Sequence, residues 1–148
     1  HKNPISPVNV CFFAGGGTNS SFDNYSAYCV SKITLIKMVE LLASENPTDK
    51  FVIIGPGFVK TKIHKETFDA GKLSGSNLEK TQNFYLTEGT SILEIFQHVQ
   101  WVMDSNTDEV SGRNFSIVHD PWNSDLNLNI KLKLDQDLFK LRRRGLEN

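Results

Sequence analysis

Apolar residues in the first half of the chain fall into three segments separated by glycine-rich or polar stretches. Residues 8–13 and 50–54 are short and rich in β-branched and aromatic side chains, which predicts two β-strands. Residues 25–45 contain neither Gly nor Pro, and their apolar positions recur at helical spacing around more than one face. We therefore expect a helix that is buried on two sides.

The order strand, helix, strand is typical of a parallel α/β unit. The second strand is continuously apolar, so we expect both of its faces to be covered. Asp23, Asn24 and Ser26 are the candidate caps at the start of the helix, and a polar turn containing Pro47 ends it.

Periodicity is weaker in the second half of the chain. Residues 60–86 are polar and contain several glycines, which predicts a partly helical connector. An apolar stripe at helical spacing predicts a helix over residues 87–103, with Thr87 as its cap. A short final strand is expected at residues 115–118.

The tail, residues 123–148, has an unusual pattern. Residues 126–134 alternate apolar and polar positions, and a period of two predicts a half-buried strand. Nothing before this segment makes a tight hairpin, so it either pairs across an interface or extends as an arm. The basic run at residues 140–144 predicts a solvated helix end.

Composition is that of a single domain covering residues 1–148, with a polar lead-in at residues 1–7. The chain has 148 residues, 39% of them hydrophobic, and a net charge of −1, so charge gives no reason to expect nucleic acid or a membrane as a partner. No apolar run is long enough to span a bilayer. Cys11 and Cys29 have no metal-binding spacing, which predicts a reduced, cytoplasmic protein.

The chemistry-bearing pattern lies at the start of the predicted helix. Tyr28 and Lys32 are four residues apart, so on a helix their side chains share one face. A neighbouring ammonium favours the phenolate and should lower the Tyr28 pKa from its usual value of about 10, which would give a proton donor and acceptor. The alternative is a chance pair, in which the tyrosine packs and the lysine is solvated.

Glycine-rich loops follow both predicted strands. Gly15-Gly16-Gly17 follows the first, and Gly55-Pro56-Gly57 follows the second. In open parallel sheets, ligands bind beyond the carboxyl ends of the strands. Both loops and the start of the helix should therefore meet at one edge of the sheet.

These residues resemble the short-chain dehydrogenases/reductases. The matching motifs are Tyr28-x-x-x-Lys32, preceded by Ser26 and Ala27, and Pro56-Gly-x-Val-x-Thr after the next strand. The resemblance extends from about residue 8 to residue 115 and covers only the second half of the family's fold. It implies an α/β fold: a partial Rossmann-like, doubly wound parallel sheet with flanking helices.

The resemblance also implies roles for the matched positions. Tyr28 would exchange a proton with the hydroxyl or carbonyl oxygen of a small-molecule substrate, and Lys32 would lower its pKa and bind the nicotinamide ribose. The cofactor would be NAD or NADP. The residues that the resemblance assigns to cofactor binding are Lys32, Pro56, Gly57, Val59 and Thr61.

One departure from the family concerns the serine that polarises the substrate oxygen. The best-matching position is Ala14, whose side chain cannot donate a hydrogen bond. Loss of such a donor typically lowers the rate by about 10²–10³-fold. Thr18, Ser20 or Ser21 is a candidate replacement, but these residues are also typical of turns.

A larger departure is that the sequence contains no G-x-G-x-x-G fingerprint for a dinucleotide and lacks the family's asparagine from the preceding helix. The chain begins at His1, just before a strand. We interpret it as the carboxyl half of a longer protein or a truncated gene product, and expect that it does not turn over alone. The alternative is a catalytically silent relative that acts as a scaffold or in oligomerisation.

The expected substrate pocket includes residues from the first glycine loop, the connector and the stretch after the last strand. In the family, the connector covers the substrate; the alternative here is a solvated linker. His119 is otherwise a structural turn residue, with pocket lining by His119 or Trp122 as the alternative. His64 and His98 are expected at the surface, and no metal site is predicted. The candidate pocket residues are Ala14, Gly15, Thr18, Lys62, His119 and Trp122.

Finally, three strands are few for a chain of this length, because sheet edges and faces need partners. The family's tyrosine-bearing helix packs against its copy in a neighbouring subunit. We therefore expect a homo-oligomer formed through the helix at residues 25–45.

Overall fold

A computed structural model of the chain describes residues 6–143. The predicted lead-in therefore lies mostly outside the described residues, as does Arg144 of the basic run. The strands are β1 (Asn9–Phe13), β2 (Lys50–Gly55) and β3 (Asn114–Ser116). The helices are α1 (Ser26–Glu45), α2 (Lys65–Ala70), α3 (Ser76–Tyr85), α4 (Ile92–Asp104), α5 (Thr107–Val110) and α6 (Leu128–Leu134).

The three strands form one parallel sheet in the order β1-β2-β3. Helices flank this sheet, so the predicted α/β class with a partial Rossmann-like sheet is confirmed. In the described residues, β1 pairs only with β2, from Asn9 opposite Lys50 to Phe13 opposite Ile54. The other side of β1 is therefore an open sheet edge.

Alternation along β2 sends its side chains to two separate cores. Ile53 points to one face, where it packs with Ile36 and Val39 of α1. Val52 and Ile54 point to the opposite face, which is covered by α4, α5 and α6. All three β2 residues are fully buried, as the continuous apolar run predicted.

Helix α1 buries only one side within this chain. Cys29, Ile36 and Val39 face inward, so the expected burial on two sides does not occur here. Its outer face exposes four apolar residues, namely Val30, Ile33, Met38 and Leu41. The residue at its N-cap is Tyr25, which makes no side-chain capping hydrogen bond, so none of the three predicted caps is used.

Helix α4 begins later than predicted. Its cap is Ser91 rather than Thr87, because Ser91 and Glu94 form a capping box in which each side chain binds the other's backbone. At its other end, the buried Lys50 ammonium donates to the carbonyls of Val102, Met103 and Ser105. Helix α4 also carries His98, which is fully buried, so the expected surface position of His98 was wrong.

The alternating segment of the tail is a helix, so the predicted strand was wrong. Leu128 and Leu132, one turn apart, are buried on α6, whereas Leu126 and Leu134 are exposed. The buried Arg113 side chain holds the end of α6 by donating to three backbone carbonyls, those of Leu132, Asp135 and Leu138. Residues 140–143 are not helical, so the predicted helix end is also wrong in its described part.

The connector contains two 3₁₀ turns as well as α2 and α3. Its inward residues are polar, and its large apolar residues are largely outward. The buried side chains are Thr67, Ser74, Asn77 and Thr81. The exposed ones include Ile63, Leu73 and Leu86. Among the described residues, no helix is long and apolar enough to cross a membrane.

Candidate active site

The Tyr28 side chain reaches the loop at the carboxyl end of β1. A Cβ built on Gly15 would lie 2.1 Å from the Tyr28 hydroxyl oxygen and 2.7 Å from the ring carbon that carries it. The hydroxyl therefore lies against the Gly15 main chain, in space that any side chain at position 15 would occupy. Gly15 is consequently the loop residue that faces the Tyr28 hydroxyl.

Lys32 lies beside the same ring, as the four-residue spacing predicts. Its ammonium is 5.8 Å from the centre of the Tyr28 ring. It donates a hydrogen bond of 3.1 Å to the carbonyl of Phe13, the last residue of β1. The structure thus brings Tyr28, Lys32 and Gly15 together at the carboxyl end of the strand.

The electrostatics of Tyr28 differ from the expectation. Burial raises its pKa above the ordinary value of 10, the neighbouring Cys29 raises it further, and the Gly16 backbone opposes the rise. The expected lowering of the Tyr28 pKa by Lys32 was wrong for this conformation. The phenol is therefore protonated near pH 7, as a tyrosine of ordinary pKa also is, and burial disfavours the phenolate further.

Ala14 does not face the Tyr28 hydroxyl. It packs against the core cluster of Ile36, Val39 and Ile53 beneath α1, and its backbone N–H donates to the Ile54 carbonyl at 2.8 Å. A serine at this position would start from the same core-facing Cβ. The residue that faces the Tyr28 hydroxyl is the adjacent Gly15.

Thr18 behaves as a turn residue. Its hydroxyl donates to the Gly15 carbonyl at 3.3 Å, inside the same loop. Ser20 and Ser21 are exposed. The loop therefore presents main-chain groups rather than a side-chain donor to Tyr28.

The second loop brings β2 close to the start of α4 and the end of β3. Gly57 has a φ of +75°, and a Cβ there would lie 2.5 Å from both Thr90 Oγ1 and Val118 Cγ2. Only glycine combines this backbone conformation with so close an approach. The turn made by Pro56 and Gly57 is therefore tightly packed against its neighbours.

The remaining candidate cofactor residues follow this turn. The Val59 carbonyl is 3.0 Å from Nε2 of His64, and the Thr61 hydroxyl accepts from the Ile63 N–H at 3.4 Å. Thr61 thus caps the first 3₁₀ turn of the connector. Its carbonyl accepts a hydrogen bond from the Tyr85 hydroxyl.

A cleft of about 840 Å³ opens beside Gly57. His119 lines it together with Phe58, Glu94 and Asp120, but neither Tyr28 nor Lys32 is among its lining residues. Burial raises the pKa of Asp120, whose carboxylate accepts from the Ser116 N–H at 2.6 Å.

Trp122 and Lys62 lie elsewhere. Trp122 packs against the core below α4, and its indole N–H donates to the Ile117 carbonyl. Lys62 lines a separate depression of about 650 Å³ with Glu66 and Asp69. The structure therefore does not bring the six candidate pocket residues into one site.

Two aromatic residues that the sequence analysis did not select surround Tyr28. The rings of Phe22 and Tyr25 are each centred 6.4 Å from the Tyr28 ring, and they stack on one another at 4.7 Å. The signal was present in the sequence, because these three aromatic residues occur at intervals of three.

No group of three or more metal-binding side chains is found in residues 6–143. The fold is part of a Rossmann-like α/β sheet. At its candidate site, Tyr28 and Lys32 lie where β1 leads into the glycine loop.

Comparison with curated proteins shows a similarity to a protein named as a reductase. The chain is 33% identical over 84 residues to benzil reductase ((S)-benzoin forming) IRC24 of Saccharomyces cerevisiae, a match that covers 53% of this chain. The chain spans about a third (32%) of the length of that curated relative. No family model matches the sequence, and no solved structure matches it.

Proposed function

We propose that this chain carries the proton-transfer half of an NAD(P)-dependent oxidoreductase of the short-chain dehydrogenase/reductase type. The proposal rests on one observation: at the carboxyl end of a parallel strand, the Tyr28 hydroxyl lies on Gly15 and the Lys32 ammonium is 5.8 Å from the centre of the Tyr28 ring. It is supported by the motifs around Tyr28 and Pro56 and by the similarity to a protein named as a reductase.

The chemistry follows from the state of Tyr28. In carbonyl reduction the neutral phenol donates its proton to the substrate oxygen as negative charge develops there. The Tyr28 pKa is raised by burial, so the phenol is protonated at neutral pH and would supply this proton from its neutral form. The Lys32 ammonium lies 5.8 Å from the ring centre and donates to the Phe13 carbonyl, so it would place positive charge near the phenolate that remains.

The cofactor that the family implies is a nicotinamide dinucleotide, which supplies the hydride when bound. The motif implies which residues of this chain would hold its nicotinamide end. Lys32 would hold the ribose, and Thr61, Val59 and the Pro56–Gly57 turn would hold the ring, as the motif implies. Gly15 and Gly17 already contact Tyr28, Phe22 and Cys29, so this glycine loop does not provide a phosphate cradle.

We further propose that these 148 residues do not turn over substrate by themselves. No dinucleotide fingerprint occurs in the sequence, and the open edge of β1 offers a place where further strands would pair. Residues 60–86 would cover the substrate, and the exposed face of α1 would meet a second copy of the chain. The substrate is a small alcohol or carbonyl compound.

A cofactor titration and one substitution test the proposal. Fluorescence titration of the chain with NADH and NADPH should give no micromolar binding, and such binding would overturn the claim of inactivity. In any form of the protein that reduces a carbonyl, Tyr28→Phe should lower kcat by at least about 10²-fold. The control variant Phe96→Leu, on the exposed surface of α4, should lose less than about tenfold. Equal activity of Tyr28→Phe and the unmodified protein would refute the assignment.

A second function is favoured by a specific observation. The position facing the Tyr28 hydroxyl is a glycine, and Ala14 beside it also has no hydrogen-bond donor in its side chain. A silent scaffold would tolerate this loss. Its signature would be an oligomer that forms normally while Tyr28→Phe changes nothing measurable.

A further inference from the structure

We propose that His64 is a positioning residue that holds the cofactor loop, defined as residues 57–61, in the shape that receives the nicotinamide end of a dinucleotide. This inference rests on the proposed function, because the motif around Pro56 gives the loop its cofactor role. His64 lies outside that motif, so the family resemblance assigns it no part.

A hydrogen bond joins the His64 ring to the main chain of the cofactor loop. Nε2 of His64 lies 3.0 Å from the Val59 carbonyl oxygen. A carbonyl oxygen only accepts, so Nε2 carries the proton and donates it. Because peptide groups are planar, this bond orients the whole peptide between Val59 and Lys60, in the middle of the loop.

The same ring also stacks on the loop. Its centre is 4.4 Å from that of the Phe58 ring, with 24° between the two planes. Phe58 in turn stacks on Phe84 of α3, at 4.8 Å and 15°. His64 thus contacts two consecutive residues of the loop, Phe58 by stacking and Val59 by hydrogen bonding, and each contact restricts a different movement.

Tyr85 makes a second contact with the loop from the other end of the connector. Its hydroxyl donates to the Thr61 carbonyl at 3.3 Å, and its ring is edge-on to the rings of His64 and Phe58. His64 immediately precedes α2, and Tyr85 ends α3. Both ends of the helical part of the connector are therefore fixed to the cofactor loop.

These contacts engage the acceptors of the loop and leave the Val59 N–H unpaired. The Phe58 carbonyl accepts from the Thr90 N–H at 2.8 Å, so the carbonyls of Phe58, Val59 and Thr61 are all hydrogen-bonded. Within residues 6–143, the Val59 N–H has no hydrogen-bond partner. A loop fixed through its carbonyls holds this N–H in a constant position, where it can donate to an acceptor such as a carboxamide oxygen.

Trypsin measures how firmly the loop is held in the chain itself, because Lys60 is a cleavage site inside the loop. His64→Phe keeps a ring that stacks but removes the donor, so cleavage after Lys60 should be about three- to tenfold faster, as expected from the loss of one hydrogen bond. His64→Gln keeps an N–H that can reach the carbonyl and should stay within about twofold of the unmodified chain. Equal rates in all three proteins would overturn the positioning role.

Two further variants show whether the effect is local. Phe96→Leu, on the exposed surface of α4, is the control and should leave cleavage after Lys60 unchanged. Tyr85→Phe removes the bond to Thr61 but keeps the ring, and it should also speed cleavage there. Circular dichroism checks folding, and Tyr85→Phe tests the same loop if His64→Phe does not fold. Mass spectrometry assigns each cut, and equal acceleration at lysines throughout the chain would refute a local role.

A split between two Michaelis constants separates positioning from a purely structural contact. In any form of the protein that reduces a carbonyl, His64→Phe should raise the KM for NADH or NADPH about three- to tenfold, and His64→Gln should restore it. The KM for the carbonyl substrate should change by less than about twofold, because Tyr28 lies on the other glycine loop. Equal rises in both constants would contradict cofactor positioning by His64.

The two proposals can fail separately. If trypsin cuts His64→Phe faster but no form of the protein binds NADH or NADPH, His64 still holds the loop and the oxidoreductase assignment is overturned. An active form whose cofactor KM is the same in His64→Phe and the unmodified protein would keep the assignment and overturn the role of His64.

Discussion

The absence of a side chain at Gly15 leaves the space that the Tyr28 hydroxyl occupies. Gly15→Ala would place a methyl group 2.1 Å from the Tyr28 hydroxyl oxygen, so either the tyrosine or the loop must move. Tyr28 should leave its partly buried position, and its pKa should fall back towards 10, as measured by ultraviolet titration of the phenols. Activity of any active form should fall by at least about 10²-fold, because small misplacements of reacting groups have effects of this size.

The next glycine provides the matched control. A Cβ on Gly16 would meet only the Phe22 ring at an ordinary contact distance of 3.8 Å. Gly16→Ala should therefore leave the Tyr28 titration unchanged. Similar effects of the two substitutions would contradict the placement of the hydroxyl on Gly15.

His98 is the residue whose burial makes stability depend on pH. Neither ring nitrogen has a hydrogen-bond partner among the described residues, and burial lowers the His98 pKa from 6.5 to about 4. A depressed histidine pKa contributes stability that is complete above pH 6.5 and is lost as the pH falls towards 4. The loss should reach about 3 kcal/mol.

Urea unfolding at pH 7 and pH 4 measures this loss. His98→Leu removes the titrating group at similar volume, so its loss of stability between the two pH values should be smaller by that amount. At pH 7 the variant should be no less stable, because the buried ring nitrogens are unsatisfied. His119→Gln, at an exposed position, is the control and should behave as the unmodified chain does. Identical pH dependence of His98→Leu and the unmodified chain would show that His98 is not neutral and buried.

At the residue scale, the spacing of residues predicted the contacts that depend on helix geometry. It did not predict the contacts and pKa shifts that depend on tertiary packing. Tyr28 and Lys32 share a face because they are one turn apart, and the structure has them so. The direction of the Tyr28 pKa shift depends on burial by the loop, which no local pattern encodes. For the same reason, the sequence pointed to Ala14 when the residue facing the hydroxyl is Gly15.

The end of helix α4 is bound by one side chain from outside the helix, that of Lys50. Lys50 lies at the start of β2, yet its ammonium donates three hydrogen bonds, of 2.6 to 3.1 Å, to carbonyls at the end of α4. These carbonyls have no partner within the helix. Lys50→Met should lower the free energy of unfolding by about 2–3 kcal/mol, as measured by urea denaturation.

A surface lysine separates this effect from a general loss of charge. Lys37 forms an exposed pair with Glu40 at 3.0 Å. Lys37→Met should change the free energy of unfolding by less than about 1 kcal/mol. If Lys50→Met also changed the free energy of unfolding by less than about 1 kcal/mol, the three hydrogen bonds would not stabilise α4.

The sequence predicted best those elements whose pattern of apolar residues is compatible with only one type of secondary structure. β2 is too short and too apolar to be anything but a buried strand, and α1 is long and uninterrupted. The pattern of residues 126–134 is compatible with either a strand or a helix, because alternation with a period of two also places Leu128 and Leu132 one helical turn apart. Arg113 favours the helix by binding carbonyls at its end, and that contact is distant in sequence.

At the scale of the whole molecule, the two faces of the sheet are unequally covered. One face is closed by α4, α5 and α6, and the other by α1 together with residues such as Leu141 near the end of the described chain. Arg142 reinforces this closure by pairing with both Glu40 of α1 and Asp137 at 2.8 Å. Within residues 6–143, the two cores are thus closed, while the edge of β1 and the outer face of α1 remain uncovered.

The open face of α1 leads to a prediction about assembly. Val30 is 62% exposed and Leu41 is 50% exposed, and on a helix both point to the same side, away from the buried Ile36 and Val39. Burying such a stripe against its copy would remove apolar surface from water. The chain should therefore sediment as an oligomer at about micromolar concentration, a range typical of moderate interfaces.

Leu41→Glu would place two charges in that interface and should shift the mass to that of a monomer. Leu126→Glu, at a site that is 99% exposed and distant from α1 in sequence, should leave the oligomer intact. A monomeric mass for the unmodified chain would contradict the prediction, and dissociation by both variants alike would mean that α1 is not the interface.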